Sequence, residues 1–148
     1  MPYLTATGEI SSLIAKYTTS QTLWIDTEVA DYKSQNPRLS LIQILDNPQD
    51  MTGDSVYILA VLGQPNVIVD FIEQIMVNAS IEKVFHNANY DLRLLGNKKA
   101  KNITCTLKMA KGIAYHILPL PNYHYQLKTL PTVLCNFHGI DKEEQGSD

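Results

Sequence analysis

Leu23-Trp24-Ile25-Asp26-Thr27-Glu28 is the stretch on which the fold turns. Trp and Ile favour extended backbone, and a strand sends successive side chains to opposite faces. Trp24, Asp26 and Glu28 then share one face, and Leu23, Ile25 and Thr27 the other. Two carboxylates two residues apart on a strand stand close together and repel, which drives one of them to take up a proton. A divalent cation beside them removes the conflict, because carboxylate oxygens are its natural donors. On this reading the acids occupy an inward face, where apolar residues are expected. A solvated strand end, where Asp and Glu are common, is the competing reading of Asp-x-Glu taken alone.

Outward from this strand, Asp31–Pro37 is polar and reads as a loop. Leu39–Leu45 and Ser55–Val61 are two further apolar runs, the first bounded by Asp46-Asn47-Pro48. Three strands in succession predict an antiparallel meander. Ahead of them, Ile10, Leu13, Ile14 and Tyr17 recur at helical spacing, which predicts a helix over 8–18. After Leu62-Gly63-Gln64-Pro65, the residues Ile68, Phe71, Ile72, Ile75, Met76 and Ala79 share the face of a helix that starts near Pro65 and Asn66. Short strands are expected at 83–86 and 103–106. A helix over 89–95 stops at Gly96, a second passes through 109–113, and residues 114–125 are mostly loop. A last helix over 129–137 has Thr129 as N-cap, Pro131 in its first turn and Gly139 at its end. Strand and helix alternate in this second half, which predicts parallel additions to the meander: an α/β fold with a mixed sheet flanked by helices.

A chain of 148 residues suits one domain around one core. Its net charge of −3 gives no general positive field, so a nucleic-acid partner has to be held locally or through metal ions. Cys105 and Cys135 form no Cys-x-x-Cys, which argues against a disulfide framework or a cysteine-rich zinc site. No apolar run is long enough for a membrane span, and Met1-Pro2-Tyr3-Leu4-Thr5 lacks a secretory pattern. The expectation is a cytoplasmic protein.

The second chemistry-bearing stretch is His86-Asn87-Ala88-Asn89-Tyr90-Asp91-Leu92-Arg93-Leu94-Leu95. Asp91, Leu94 and Leu95 stand at i, i+3 and i+4 and share a helix face. The leucines face the core, so Asp91 belongs at its rim or inside it. A carboxylate near a helix start also interacts with free amides and the dipole, and for Asp91 alone both readings stay open. Together with Asp26 and Glu28 it points to a metal site. His86 and Asn87 read as residues that fix the backbone ahead of the helix. Lys98, Lys99 and Lys101 read as a solvated loop or a phosphate contact. Tyr115, His116, Tyr123, His124 and Tyr125 read as base-stacking groups or as the edge of a core. Cys105 reads as a small buried residue.

Leu23–Glu28, then Arg38-Leu39-Ser40-Leu41-Ile42-Gln43-Ile44, then Val84–Leu92 together resemble the ribonuclease D family of DEDD 3′-5′ exonucleases. The tail 139–148 is similar to the segment ahead of that family's last motif, and the likeness runs from Ile10 to Asp148. The resemblance implies a ribonuclease H-like fold and a single exonuclease domain over residues 1–148. It implies two divalent ions, Mg²⁺ or Mn²⁺, with Asp26 on both, Glu28 on one and Asp91 on the second. One ion then lowers the pKa of a water that attacks the terminal phosphodiester, and the other stabilises the leaving 3′-oxygen. The implied substrate is the 3′ end of single-stranded RNA, or of DNA, with Thr27, Val29, His86, Asn87 and Tyr90 as nucleic-acid contacts. Val29 or Tyr32 stands where the family places an apolar wedge.

Two departures accompany the likeness. The family carries a fourth carboxylate in a Tyr-x-x-x-Asp motif, and beyond Asp91 this sequence has neither that motif nor His-x-x-x-x-Asp. Cys105 stands where the family often has Asp. The expectation is therefore a domain shortened at its C-terminal end. Its alternative function is that of a catalytically impaired exonuclease-like module that binds nucleic acid or protein. The sequence does not specify an oligomeric state.

Overall fold

Six strands of the computed structural model join in one mixed sheet: β1 (Tyr3–Leu4), β2 (Thr22–Ala30), β3 (Arg38–Leu45), β4 (Tyr57–Ala60), β5 (Glu82–Phe85) and β6 (Ile103–Cys105), in the order β1-β4-β3-β2-β5-β6. The structure describes residues 1–116, 120 and 125–135. It divides into two compact units, Met1–Thr104 and Cys105–Asp148. In the first, β2, β3 and β4 form the expected antiparallel meander, and β5 is parallel to β2. The sequence reading missed β1, which lies parallel to β4 at the sheet edge. Two residues are too few to show any periodicity.

The helices of the first unit are α1 (Thr7–Tyr17), α2 (Pro65–Phe71) and α3 (Ala88–Leu92). Ile10, Leu13, Ile14 and Tyr17 are buried, as their spacing predicts, and α1 packs against α2. The chain then continues as a π-helical turn, Ile72–Met76. Val67, Phe71, Ile75 and Met76 are buried, while Ile68 and Ile72 of the expected stripe are half-buried. Ala79, expected on that stripe, lies past the helix and is exposed. α3 is shorter than the predicted 89–95 and gives way at Arg93 to a turn that Gly96 closes, at φ 92°. A Cβ on Gly96 would stand 2.9 Å from Cγ2 of Ile72, so both the backbone and the space call for glycine there.

In the sheet, two details position the site. β2 pairs with β5 only along Thr22↔Glu82, Leu23↔Lys83 and Trp24↔Val84, so from Ile25 onwards the β5 side of β2 is open. At the paired end Glu82 accepts a bond from Thr22 Oγ1 (3.2 Å) and another from Thr104 Oγ1 (2.6 Å), which ties three strands together. Between Glu28 and Val29 the β2–β3 register shifts: Glu28 faces Leu41 and Val29 faces Leu39, leaving Ser40 as the extra residue of a bulge. The buried side chains of β3 change parity there, from Ile44 and Ile42 to Leu39.

Lys83 shares the inward face of β5 with Phe85 and is 0% exposed. Its Nζ donates to the carbonyls of Asn78 (2.6 Å) and Ile81 (2.8 Å). Burial pushes the ammonium pKa down to about 8. The second unit contains α4 (Thr106–His116), which starts earlier than the sequence suggests, and α5 (Leu130–Cys135) with Pro131 in its first turn. Within it the Lys111 ammonium lies 5.8 Å from the centre of the Tyr125 ring. The side chains of Tyr115 and His116, and the residues Tyr123, His124, Phe137, Gly139 and 141–148, fall outside the described residues. Among the described residues no helix is long and apolar enough to cross a membrane.

Two stability predictions follow from this packing. Gly96→Ala is expected to destabilise by about 2 kcal/mol, from a positive φ and the contact with Ile72; a urea midpoint equal to wild type would refute it. Among the described residues the buried Tyr17 hydroxyl has no hydrogen-bond partner. Burial first, then the Asp46 carboxylate and Tyr57, push its pKa up. Tyr17→Phe is therefore expected to stabilise by roughly 1 kcal/mol, measured by the same titration.

Candidate active site

The open half of β2 carries Asp26, Thr27 and Glu28. Alternation falls as the sequence requires: Leu23, Ile25 and Thr27 are buried, while Asp26 and Glu28 are exposed on the other face. This corrects the expectation that the acidic pair points inward. The inward acid is Asp91, 2% exposed. It reaches its place because β5 ends at Phe85, and Asn87, at φ 62° and ψ 47°, turns the chain into α3. Asparagine tolerates this left-handed backbone better than most residues, so Asn87 acts in the fold as the expected backbone-fixing residue.

Asp91 meets β2 through Thr27, whose Oγ1 donates to Asp91 Oδ1 at 2.6 Å. Burial pushes the Asp91 carboxyl above the usual carboxylate range. The Thr27 hydroxyl opposes that rise, and the nearby charge of Asp26 adds to it. Asp26 is also raised, first by desolvation, against the Thr27 backbone amide and the charge of His86, which both lower it. The charge of Asp26 thus reaches Asp91, and Thr27 meets both, its hydroxyl at Asp91 and its backbone amide at Asp26. Glu28 stands one side chain further along the Asp26 face.

Among the described residues no set of three or more His, Cys, Asp or Glu side chains is gathered closely enough to hold an ion. The structure brings together two of the three predicted acids. Desolvated hard oxygen donors, one of them raised further by the charge of the other, suit a divalent cation such as Mg²⁺ or Mn²⁺, and the pair fits such a group on that ground.

Beside the acids lies a cleft of about 260 Å³, lined by Val29, Asn36, Pro37, Tyr90, Arg93 and Leu94 among others. Val29 enters it just past the bulge. Tyr90, 39% exposed, comes from the residue before Asp91, and the Arg93 guanidinium lies 5.1 Å from the centre of its ring. The remaining predicted contacts divide. His86 is half-buried beside Asp26, and Asn87 is exposed. Thr27 is 5% exposed and its hydroxyl is engaged by Asp91, so its side chain is directed into the protein rather than towards a nucleic acid. Tyr32 is exposed with the Lys33 ammonium over its ring, and it does not line this cleft. Arg93 was missed from the sequence. Its position two residues after Asp91, on a segment already singled out, was the signal that could have found it.

A family profile described as 3′-5′ exonuclease matches residues 3–148. No curated protein sequence matches. Among solved structures, the catalytic core of RRP6 from Trypanosoma brucei superposes with a TM-score of 0.72 at 19% identity, over 99% of this chain and 37% of that one. Escherichia coli RNase D, an exoribonuclease involved in structured RNA processing, gives 0.68 at 20% identity, over 100% and 37%. Brucella melitensis NrnC with bound Mg²⁺ gives 0.59 at 22% identity, over 88% and 59%, and that protein has also been solved bound to pGG. The chain spans little more than a third of the first two. The expected ribonuclease H-like fold is the fold found.

The raised carboxyls set a pH dependence. With a native pKa above its unfolded value, Asp91 still holds its proton where the unfolded chain has already released it. Stability then falls as pH rises through that interval, and the penalty is complete once pH exceeds the native value. Asp91→Asn is expected to raise the melting temperature in EDTA at pH ~7, with the difference shrinking towards pH ~4. A lower melting temperature at both pH values would contradict this account.

Proposed function

The chain belongs to the 3′-5′ exonuclease family, and from that premise we propose that it is a metal-dependent hydrolase acting on the 3′ end of single-stranded RNA. The observation that carries the reading is the pair Asp26–Asp91 at the open edge of β2, next to an apolar cleft with an arginine at its rim. Asp26, Glu28 and Asp91 are the residues that would hold divalent ions, two by the family resemblance. Bound there, the ions supply a water of lowered pKa and stabilise the charge on the leaving oxygen.

The rest of the chemistry belongs to the side chains. Val29, Pro37 and Leu94 offer an apolar seat for a terminal nucleoside, and Tyr90 a ring for its base. Arg93, held over Tyr90, presents a fixed positive charge to a phosphate. His86 lies beside Asp26 and favours its ionised form. Lys98, Lys99 and Lys101 are exposed on the segment after α3 and supply contacts for the backbone further along. NrnC, solved with Mg²⁺ and with pGG, supports a metal and a nucleic acid at a fold of this kind. The proposal includes a cytoplasmic location. A second reading, a binding module that does not cut, is favoured by the absence of a gathered three-acid set among the described residues.

A 5′-labelled single-stranded RNA incubated with Mn²⁺ separates the two readings. Stepwise shortening from the 3′ end is expected. Asp26→Ala is expected to slow it more than about 100-fold, since even outer partners of metal ligands are worth 10–100-fold. Binding without shortening supports the module. Shortening unaffected by Asp26→Ala would remove this site from the reaction, and a DNA arm of the same assay reports on the sugar.

A further inference from the structure

We infer that Thr27 is the positioning residue of this centre: it touches no substrate, and its hydroxyl fixes the carboxylate of Asp91 beside Asp26. The purpose of that carboxylate rests on the nuclease reading; the positioning rests on geometry. Thr27 lies between the two acids of β2 in sequence, but its side chain goes to the opposite, buried face. There it donates a 2.6 Å bond to Oδ1 of a residue 64 positions away.

The backbone amides of Asp91 and Thr27 also reach that carboxylate, and among side chains the Thr27 hydroxyl donates to it. α3 has five residues and no side-chain cap bond at its start. The χ2 torsion of aspartate is broad and two-fold, so packing of the Cβ leaves the oxygens free to turn. Charge-assisted donors supply that constraint, and the Thr27 hydroxyl is the one that a side chain contributes. Threonine is suited to giving it. Branching at Cβ leaves few χ1 choices on a strand, so the hydroxyl direction follows from the β2 backbone. That backbone is held on one side by β3, through Thr27↔Ile42, while the β5 side is open. The Thr27 hydroxyl is thus the side-chain link between the open half of β2 and α3, and its backbone amide faces the carboxylates of Asp26 and Asp91. Alternation thus places Asp26 and Glu28 on one face of β2 and Thr27 on the other, where it meets Asp91.

The test uses the full chain with Thr27→Val, which keeps shape and loses the donor, and Thr27→Ser, which keeps the donor and loses the methyl. Calorimetry with Mn²⁺ alone as the probe is expected to show a 10–100-fold weaker affinity for Thr27→Val and recovery in Thr27→Ser. A crystal structure of Thr27→Val is expected to show the Asp91 carboxylate turned from its wild-type position. Thr27→Ala serves the same comparison if the valine variant does not fold. Wild-type Mn²⁺ affinity in Thr27→Val with Asp91 unmoved overturns the inference. If wild type itself takes up no Mn²⁺, the nuclease reading fails separately, and the position of Asp91 in the variant crystal still decides the role of Thr27.

Discussion

β2 has two neighbours along Thr22–Trp24 and one from Ile25 onwards. A strand edge buried without partners is expensive, so something must approach the vacated side. Glu82 holds the near ends of β2, β5 and β6 together while the far ends of β2 and β5 part. Into the gap come the His86–Asn87 turn and α3, with Ala88 and Asp91 buried. The opening lies at the carboxyl ends of two parallel strands, where open α/β sheets characteristically place ligands. Asp26, Asp91, Val29 and Tyr90 are brought together by that divergence rather than by any local motif.

Such an arrangement opposes the stability of the fold. Desolvation raises both carboxyls, and the charge of Asp26 adds to the rise at Asp91. The compensation lies elsewhere, in the layer of Ile10, Ile14, Tyr17, Phe71, Ile75 and Met76, all fully buried. Sites that break local rules while the remainder of the molecule obeys them are the usual mark of function.

Strand alternation and helical spacing made much of this legible in the sequence. The faces of β2, the buried stripe of α1 and the meander follow directly from residue order. What was not legible has specific causes. A π-helical turn follows Phe71, where Ile72 is only half-buried, and no local residue announces it. The depth of Asp26 and Glu28 was misjudged, because alternation assigns faces without saying which face meets solvent. The donor for Asp91 stands on β2, far away in sequence, and no spacing rule reaches that distance. Lys83 could have been foreseen, since alternation puts it with Phe85, but a lysine on an inward face runs against expectation.

The bulge at Ser40 has an evolutionary corollary. Because it reverses which side chains of β3 face the interior, the strand is a two-phase code with a single frame-shifting position. Losing Ser40 would restore one uninterrupted phase in which Leu39, Ile42 and Ile44 still share a face, because the bulge absorbs that one extra residue. The strand can therefore shorten by one residue between Leu39 and Ile42 without turning a buried side chain outwards, whereas loss of Gln43 would set Ile42 and Ile44 on opposite faces.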